Sequence, residues 1–199
     1  PARVWALLQG GEPEPEKAAA TKVAIAGLPL SGEGSISLNA PRDVVWRSLV
    51  NVENLADVIP GCRELRQVAP NAYEAIVDIR VAGIGGRYDV KIGLADLEEP
   101  VRLRLVGSAE GKLGSGTGEA LVHLSGEADG HTRLAYTYRA GISGKVAGFG
   151  HRMLDGVTRL LIATFFQSLD ARLGGKPQQI GLLGRVKQWA MFLWRAWRS

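Results

Sequence analysis

The chain has a single cysteine, Cys62, among 199 residues. A lone thiol excludes an internal disulfide, and cysteine this sparse fits a reducing compartment. The three histidines, His123, His131 and His151, are scattered and lack the spacing of metal ligands, so no metal site is expected. No Gly-x-Ser-x-Gly elbow, phosphate loop or dinucleotide fingerprint is present, so no catalytic residue is assigned. No secretory signal peptide is visible. The chain opens on Pro1 without a methionine, which reads as a trimmed start or as the end of something longer.

Acidic residues are missing from one region. No acid follows Asp170, whereas six Lys/Arg do. The formal net charge of +4 therefore hides a split: 24 cations less those six leaves 18 against 20 acids, or −2, before that point. A near-neutral body with a basic tail does not spread cations over a folded face, as a nucleic-acid binder does. In Ile180–Ser199 a helical wheel puts Leu182, Leu183, Val186, Trp189, Ala190, Leu193, Trp194 and Trp197 on one half. Lys187, Gln188, Arg195 and Arg198 take the other half; Arg185 adds charge, and Met191 and Phe192 intrude on the polar side. An apolar face, a cationic face and interfacial tryptophans describe a helix lying in an anionic membrane surface. The uncharged run Gln188 to Trp194 falls far short of the roughly 20 residues a spanning helix needs. Packing on a partner subunit or on the protein's own domain are the other two readings of this tail.

Residues 1–32 read as an extension or linker, with an acidic, stiff spacer at Glu12-Pro13-Glu14-Pro15-Glu16 and an apolar patch at Val23 to Leu30. The body, 33–175, opens with a strand at Ser35 to Asn39. A helix follows with Pro41 in its first turn and Val44, Val45, Trp46 and Leu49 on its buried side, then a second short helix from Asn51 to Ile59 that Pro60-Gly61 stops. From Arg63 to Gly141 period-two alternation dominates. Tyr73 to Val81, Tyr88 to Leu94, Val101 to Leu105, Ala120 to Leu124 and Leu134 to Ala140 each put apolar residues on one face and charges on the other. Such alternation predicts an antiparallel sheet with one face in water. Asp78, Arg80, Asp89 and Lys91 then read as cross-strand surface charges rather than catalytic carboxylates. After Ser143 the period becomes 3.6. Val146, Phe149, Met153, Val157, Leu160, Leu161, Phe165 and Leu169 predict one helix of roughly 30 residues, with Arg152 and Asp155 as an ion pair.

The motifs that accompany this order are Ala40-Pro41-Arg42-x-x-Val45-Trp46, Ile59-Pro60-Gly61-Cys62, Gly114-x-Gly116-x-Gly118, Gly148-x-Gly150-His151-Arg152 and Phe165-Phe166. Over residues 33–174 they resemble the carbon monoxide dehydrogenase CoxG family, of the START-like, helix-grip (SRPBCC) superfamily. The resemblance implies an α+β fold in which a curved seven-stranded antiparallel sheet holds a long C-terminal helix. It also implies a non-enzymatic accessory protein that brings a molybdenum hydroxylase of the carbon monoxide dehydrogenase type to the inner face of the cytoplasmic membrane. The tail 176–199 would make the membrane contacts.

The helix-grip arrangement often keeps a cavity between sheet and helix, and ligand pockets are mostly apolar. The inward set here is Tyr88, Leu105, Gly116, Ala120, Tyr136, Tyr138, Phe149, Met153, Val157 and Phe165. Core packing is the competing reading for each of them. Glycines 107, 111, 114, 116 and 118 read either as a bend in the sheet or as space for a ligand. A hydrophobic small molecule, with a respiratory quinone as the candidate, would occupy that space; no other cofactor is expected. Cys62 reads as a buried structural thiol. The rival readings are a soluble lipid or polyketide carrier or cyclase of the same superfamily, and a structural subunit with a filled core.

Overall fold

The computed structural model describes residues 25–81 and 84–174. The expected spacer near the N-terminus and the tail with its membrane contacts from Leu182 to Arg198 lie outside the described residues. The elements run β1 Leu28–Leu38, α1 Arg42–Val50, α2 Val52–Val58, β2 Cys62–Ala69, β3 Ala72–Val81, β4 Ile84–Glu98, β5 Arg102–Gly111, β6 Gly114–Gly126, β7 Thr132–Ser143 and α3 His151–Arg172. The seven strands form one antiparallel sheet in the order β1-β7-β6-β5-β4-β3-β2. Two packed layers result, a sheet with helices on one face.

β1 starts at Leu28, well before the expected Ser35. Its inward positions are Leu28, Leu30, Gly32, Gly34, Ile36 and Leu38, and the two glycines interrupt the apolar alternation that would reveal the strand. The apolar patch ending at Leu30 thereby finds a place: Leu30 is buried and pairs with Ala140 of β7. At α1, Pro41 stands at the N-cap with extended backbone, and Val45, Trp46 and Leu49 are buried. Asn51 caps α2 by accepting hydrogen bonds from the backbone N–H groups of Glu53 (2.8 Å) and Asn54 (3.3 Å). Gly61 turns the chain into β2 at φ 77°, and a Cβ there would lie 2.2 Å from the Asp78 carbonyl oxygen. Only glycine fits that approach.

The expected continuous helix after Ser143 divides in two. A 3-10 turn spans Lys145–Phe149, Gly150 breaks it at φ 81°, and α3 begins at His151. The break leaves Phe149 outside α3, where it is 42% exposed; within α3, Leu154 and Phe166 join Leu169 on the buried face and Leu160 is 36% exposed. The expected Arg152–Asp155 pair is replaced by Asp155 with Arg159, one full turn further on, at 3.0 Å.

The core forms two clusters. The larger gathers Leu38, Val45, Trp46, Leu124, Leu134, Phe166 and Leu169 under α1, α2 and the C-terminal part of α3. The smaller joins Leu30, Val146 and Leu154, with Met153, Val157, Ala140 and Ile142 against them. The stretch of sheet between these clusters carries the candidate site.

Candidate functional site

Strand register sets the floor of the site. Side chains opposite one another on neighbouring strands share a row across the inner face. One row reads Leu94, Leu105, Ala120, Tyr138 and Gly32 from β4 to β1. The next reads Ile92, Gly107, Gly118, Ala140 and Leu30, and the third Val90, Ala109, Gly116, Ile142 and Leu28. On β5 and β6 these last two rows contain only glycine and alanine, which makes a trough in the sheet. Gly107, Ala109, Gly116, Gly118 and Ala120 are all only partly buried, as are Leu105, Tyr136 and Tyr138 beside them. By contrast Leu38, Leu124 and Leu134, at the end covered by α1 and α2, are fully buried.

The N-terminal half of α3 presents Met153 and Val157 on this side, both half-buried, and Phe165 follows at the margin of the larger core. Towards β2 and β3 the space between helix and sheet opens as a cleft of about 470 Å³. Leu160, Leu161 and Thr164 line its helix side; Pro60 to Arg63 and Asp78 to Val81 line the other. Of the ten expected ligand residues, the structure brings Leu105, Gly116, Ala120, Tyr136, Tyr138, Met153, Val157 and Phe165 to the helix-facing side of the sheet or to α3. Tyr88 lies buried at the β4 end, and Phe149 stands outside on its 3-10 turn. None of the ten lines the cleft itself, whose helix side is formed by Leu160, Leu161 and Thr164.

The tyrosines do not converge. Each ring lies over a glycine of a neighbouring strand. A Cβ on Gly32 would fall 2.7 Å from the Tyr138 ring, one on Gly34 would fall 2.5 Å from the Tyr136 hydroxyl, and one on Gly111 would fall 2.7 Å from the Tyr88 ring. Tyr136 and Tyr138 thus point along the sheet towards β1, and Tyr88 lies at the opposite flank. Burial pushes the hydroxyls of both Tyr136 and Tyr138 up, with Asp155 adding to the effect at Tyr138 and Arg159 opposing it at both. Both remain neutral phenols, able to donate and accept.

Cys62 is half-buried at the cleft rather than fully enclosed, and its Sγ donates to the Glu64 carbonyl at 3.5 Å. Burial, reinforced by the charge of Asp57, pushes its thiol up, and the backbone hydrogen bond offsets this only in part. A thiol held protonated is a poor nucleophile. Asp78, beneath the cleft, holds Arg63 (3.0 Å) and Arg87 (3.1 Å), so its charge is structural. Among the described residues no group of His, Cys, Asp and Glu could hold a metal ion, and no helix is long and apolar enough to cross a membrane.

A second, larger concavity of about 760 Å³ lies on the outward face of the sheet, between Arg102, Arg104, Leu121, His123 and Arg133. The pattern expected only charge on that face, and the outward parity of Leu121 was the signal for it. Its arginines are already engaged: Arg102 by Glu98, Arg104 by Asp96 and Glu119, Arg133 by Glu127. In the apolar trough, burial of apolar surface is not opposed by desolvating paired charges, as it is in this outward concavity.

A curved antiparallel sheet with a long C-terminal helix over a partly open apolar trough defines a START-like, helix-grip protein. Solved structures agree on that fold. A START superfamily protein from Mycobacterium smegmatis (11% identical, TM-score 0.57) covers 72% of this chain and 97% of its own. The Zhui aromatase/cyclase from Streptomyces sp. R1128 (16% identical, TM-score 0.56) covers 73% and 94%. A conserved protein from Geobacillus kaustophilus is much nearer, 36% identical at a TM-score of 0.71 over 73% of this chain and 95% of that one. No curated protein matches. Residues 34–174 match the CoxG family of carbon monoxide dehydrogenase, and the chain belongs to it.

Proposed function

We propose that this chain is a non-enzymatic accessory protein that holds an apolar ligand, a respiratory quinone, in the trough between the sheet and α3. The same protein recruits a molybdenum hydroxylase of the carbon monoxide dehydrogenase type to the inner face of the cytoplasmic membrane. The carrying observation is the pair of glycine and alanine rows at Gly107, Ala109, Gly116 and Gly118, left partly accessible on the face of the sheet that carries α3. A polyprenyl chain needs such an unobstructed apolar track. A cyclase or synthase needs acid and base groups aimed at its substrate, and these rows carry none. Family membership supports the accessory role and the class of partner.

The tail supplies attachment in this reading. Each cation near an anionic leaflet contributes about 1 kcal/mol, and each large apolar side chain, fully buried, adds about 1.5–3 kcal/mol. That sum favours reversible docking. Native mass spectrometry of the purified full chain tests the ligand: a co-purified quinone or lipid is expected, and a ligand-free chain from quinone-containing cells overturns it. Sedimentation with anionic vesicles, with and without residues 177–199, tests attachment; equal binding by both forms overturns the role of the tail.

A further inference from the structure

The 3-10 turn Lys145–Phe149 stands at one end of the sheet with no role in the trough. Val146 anchors it: this side chain is buried, and its N–H donates to the Leu113 carbonyl in the β5–β6 turn at 2.8 Å. Gly144 and Gly114 pack closely beneath, since a Cβ on Gly144 would lie 2.6 Å from the Gly114 Cα. From this fixed base Phe149 projects, 42% exposed, between Gly148 and Gly150, around both of which a side chain would meet nothing within 4 Å. A large aromatic so placed leaves about two-fifths of its surface in water.

The charged side chains of the tip itself are cations, with Glu110 of β5 at its edge. Residues 111–114 and 143–152 contain Lys112, Lys145 and Arg152 and no acid. All three cations are exposed, and among the described residues none forms an ion pair, although Asp155 lies close by and is taken by Arg159. Antiparallel pairing also places this tip at the same end of the sheet as Val81, which lines the cleft. Unpaired cations around a protruding aromatic complement an anionic bilayer, with the ring in the interface and the charges at the headgroups. A protein partner would more often supply acids facing individual cations and a pocket for the ring.

We propose that this tip, built from the β5–β6 turn, the 3-10 turn and the first turn of α3, is a second membrane contact, separate from the tail, that turns the open end of the trough towards the lipid. It rests on the reading that the trough exchanges an apolar molecule with the bilayer. The test uses the full chain carrying Cys62→Ala and Phe149→Cys, labelled at the new thiol with a polarity-sensitive dye. Vesicles of phosphatidylglycerol mixed with phosphatidylcholine should shift the dye to the blue; phosphatidylcholine alone should shift it far less. In the unlabelled full chain, Lys112→Gln, Lys145→Gln and Arg152→Gln should each lower partitioning about fivefold at low salt. An unshifted dye on vesicles to which the protein is bound overturns the tip contact and leaves attachment by the tail standing. No binding of any form overturns both. A dye shifted by a molybdenum hydroxylase and not by vesicles assigns the tip to that protein and overturns the lipid contact.

Discussion

Asn39, at the end of β1, grips Asp170 near the end of α3 through three hydrogen bonds. Its backbone N–H donates to Oδ1 at 3.0 Å, and its Nδ2 donates to Oδ1 and Oδ2 at 3.1 Å each. Asp170 is 4% exposed, so this is a carboxylate inside the protein, compensated by amide donors from a residue 131 positions earlier. Next to it Arg172 donates to the Asn54 side chain at 3.0 Å and pairs with Asp57. One end of the helix is fastened in this way to β1 and to α2, and the sparsely packed stretch of α3 lies towards the other end.

Losing the carboxylate should therefore be costly. Asp170→Ala leaves the part-buried Asn39 donors unmet, and a loss of about 2–4 kcal/mol is expected in urea unfolding. The exchanged pair, Asn39→Asp with Asp170→Asn, keeps a donor and an acceptor on each side and should recover part of it. A loss below about 0.5 kcal/mol for Asp170→Ala, as for an ordinary surface site, would show that the fastening does not hold the helix.

Gly34 and Tyr136 make a second pair that depends on the absence of a side chain. A methyl at Gly34 would sit 2.5 Å from the tyrosine hydroxyl and 2.7 Å from Cζ, so the ring must move. Gly34→Ala should cost about 1–3 kcal/mol. Combined with Tyr136→Leu, which removes the ring, it should cost much less than the two single changes added together. Additivity in a thermal-unfolding cycle would mean that the ring finds room elsewhere.

Two outward carboxylates should govern the acid limb of stability. Asp78 is held below the usual carboxylate range, first by its hydrogen bond from Arg87 and then by that from Arg63, against an opposing effect of burial. Glu119 is lowered in the same sense, first by Arg139, with Arg104 adding. A depressed native pKa means that the unfolded chain binds the proton first. The stability these groups contribute is present above the ordinary carboxylate range and is lost as pH falls through their lowered values. Denaturation midpoints measured from about pH 7 to about pH 3 should fall less steeply for Asp78→Asn with Glu119→Gln than for the parent. Parallel slopes would refute the assignment.

The sheet was legible because its strands alternate cleanly: Tyr73, Ala75 and Val77 against Glu74 and Asp78 admit one register of burial, and the structure adopts it. The first half of β1 was not, because Gly32 and Gly34 occupy inward positions for the sake of tyrosines about a hundred residues away, and no local pattern carries that information. The helix stripe held at Val146, Met153, Val157, Phe165 and Leu169, which pack in the two cores, and missed at Phe149 for a related reason. Gly150 takes a left-handed conformation that ends the 3-10 turn, and a glycine's φ is not written in its identity. Phe149 therefore lost its inward place, while within α3 Leu160 borders the cleft and Phe166 faces the core. Of the site, strand parity gave the floor at Leu105, Gly116 and Ala120; the cleft at Gly61 to Arg63 exists only through the tertiary approach of α3 to β2 and β3.

The trough itself can be tested by filling it. Ala120 lies between Leu105 and Tyr138 in its row, partly buried, and faces the helix. Gly116, two rows on, would place a Cβ 3.1 Å from the flexible end of Ile142 and 3.6 Å from the Gly141 carbonyl, so a side chain there is tight but not blocked by backbone. Ala120→Trp and Gly116→Trp put an indole where the apolar ligand is proposed to run. If the space is open, unfolding free energy should stay within about 1 kcal/mol of the parent while quinone or lipid extracted from the purified protein falls. If the interior is already filled, overpacking should cost about 1–3 kcal/mol or more. Leu121→Trp is the control, since the neighbouring residue points to the outward face and is 55% exposed. It should alter neither stability nor extracted ligand. Loss of ligand in Leu121→Trp but not in Ala120→Trp would move the binding site to the outward groove beside Arg104 and His123.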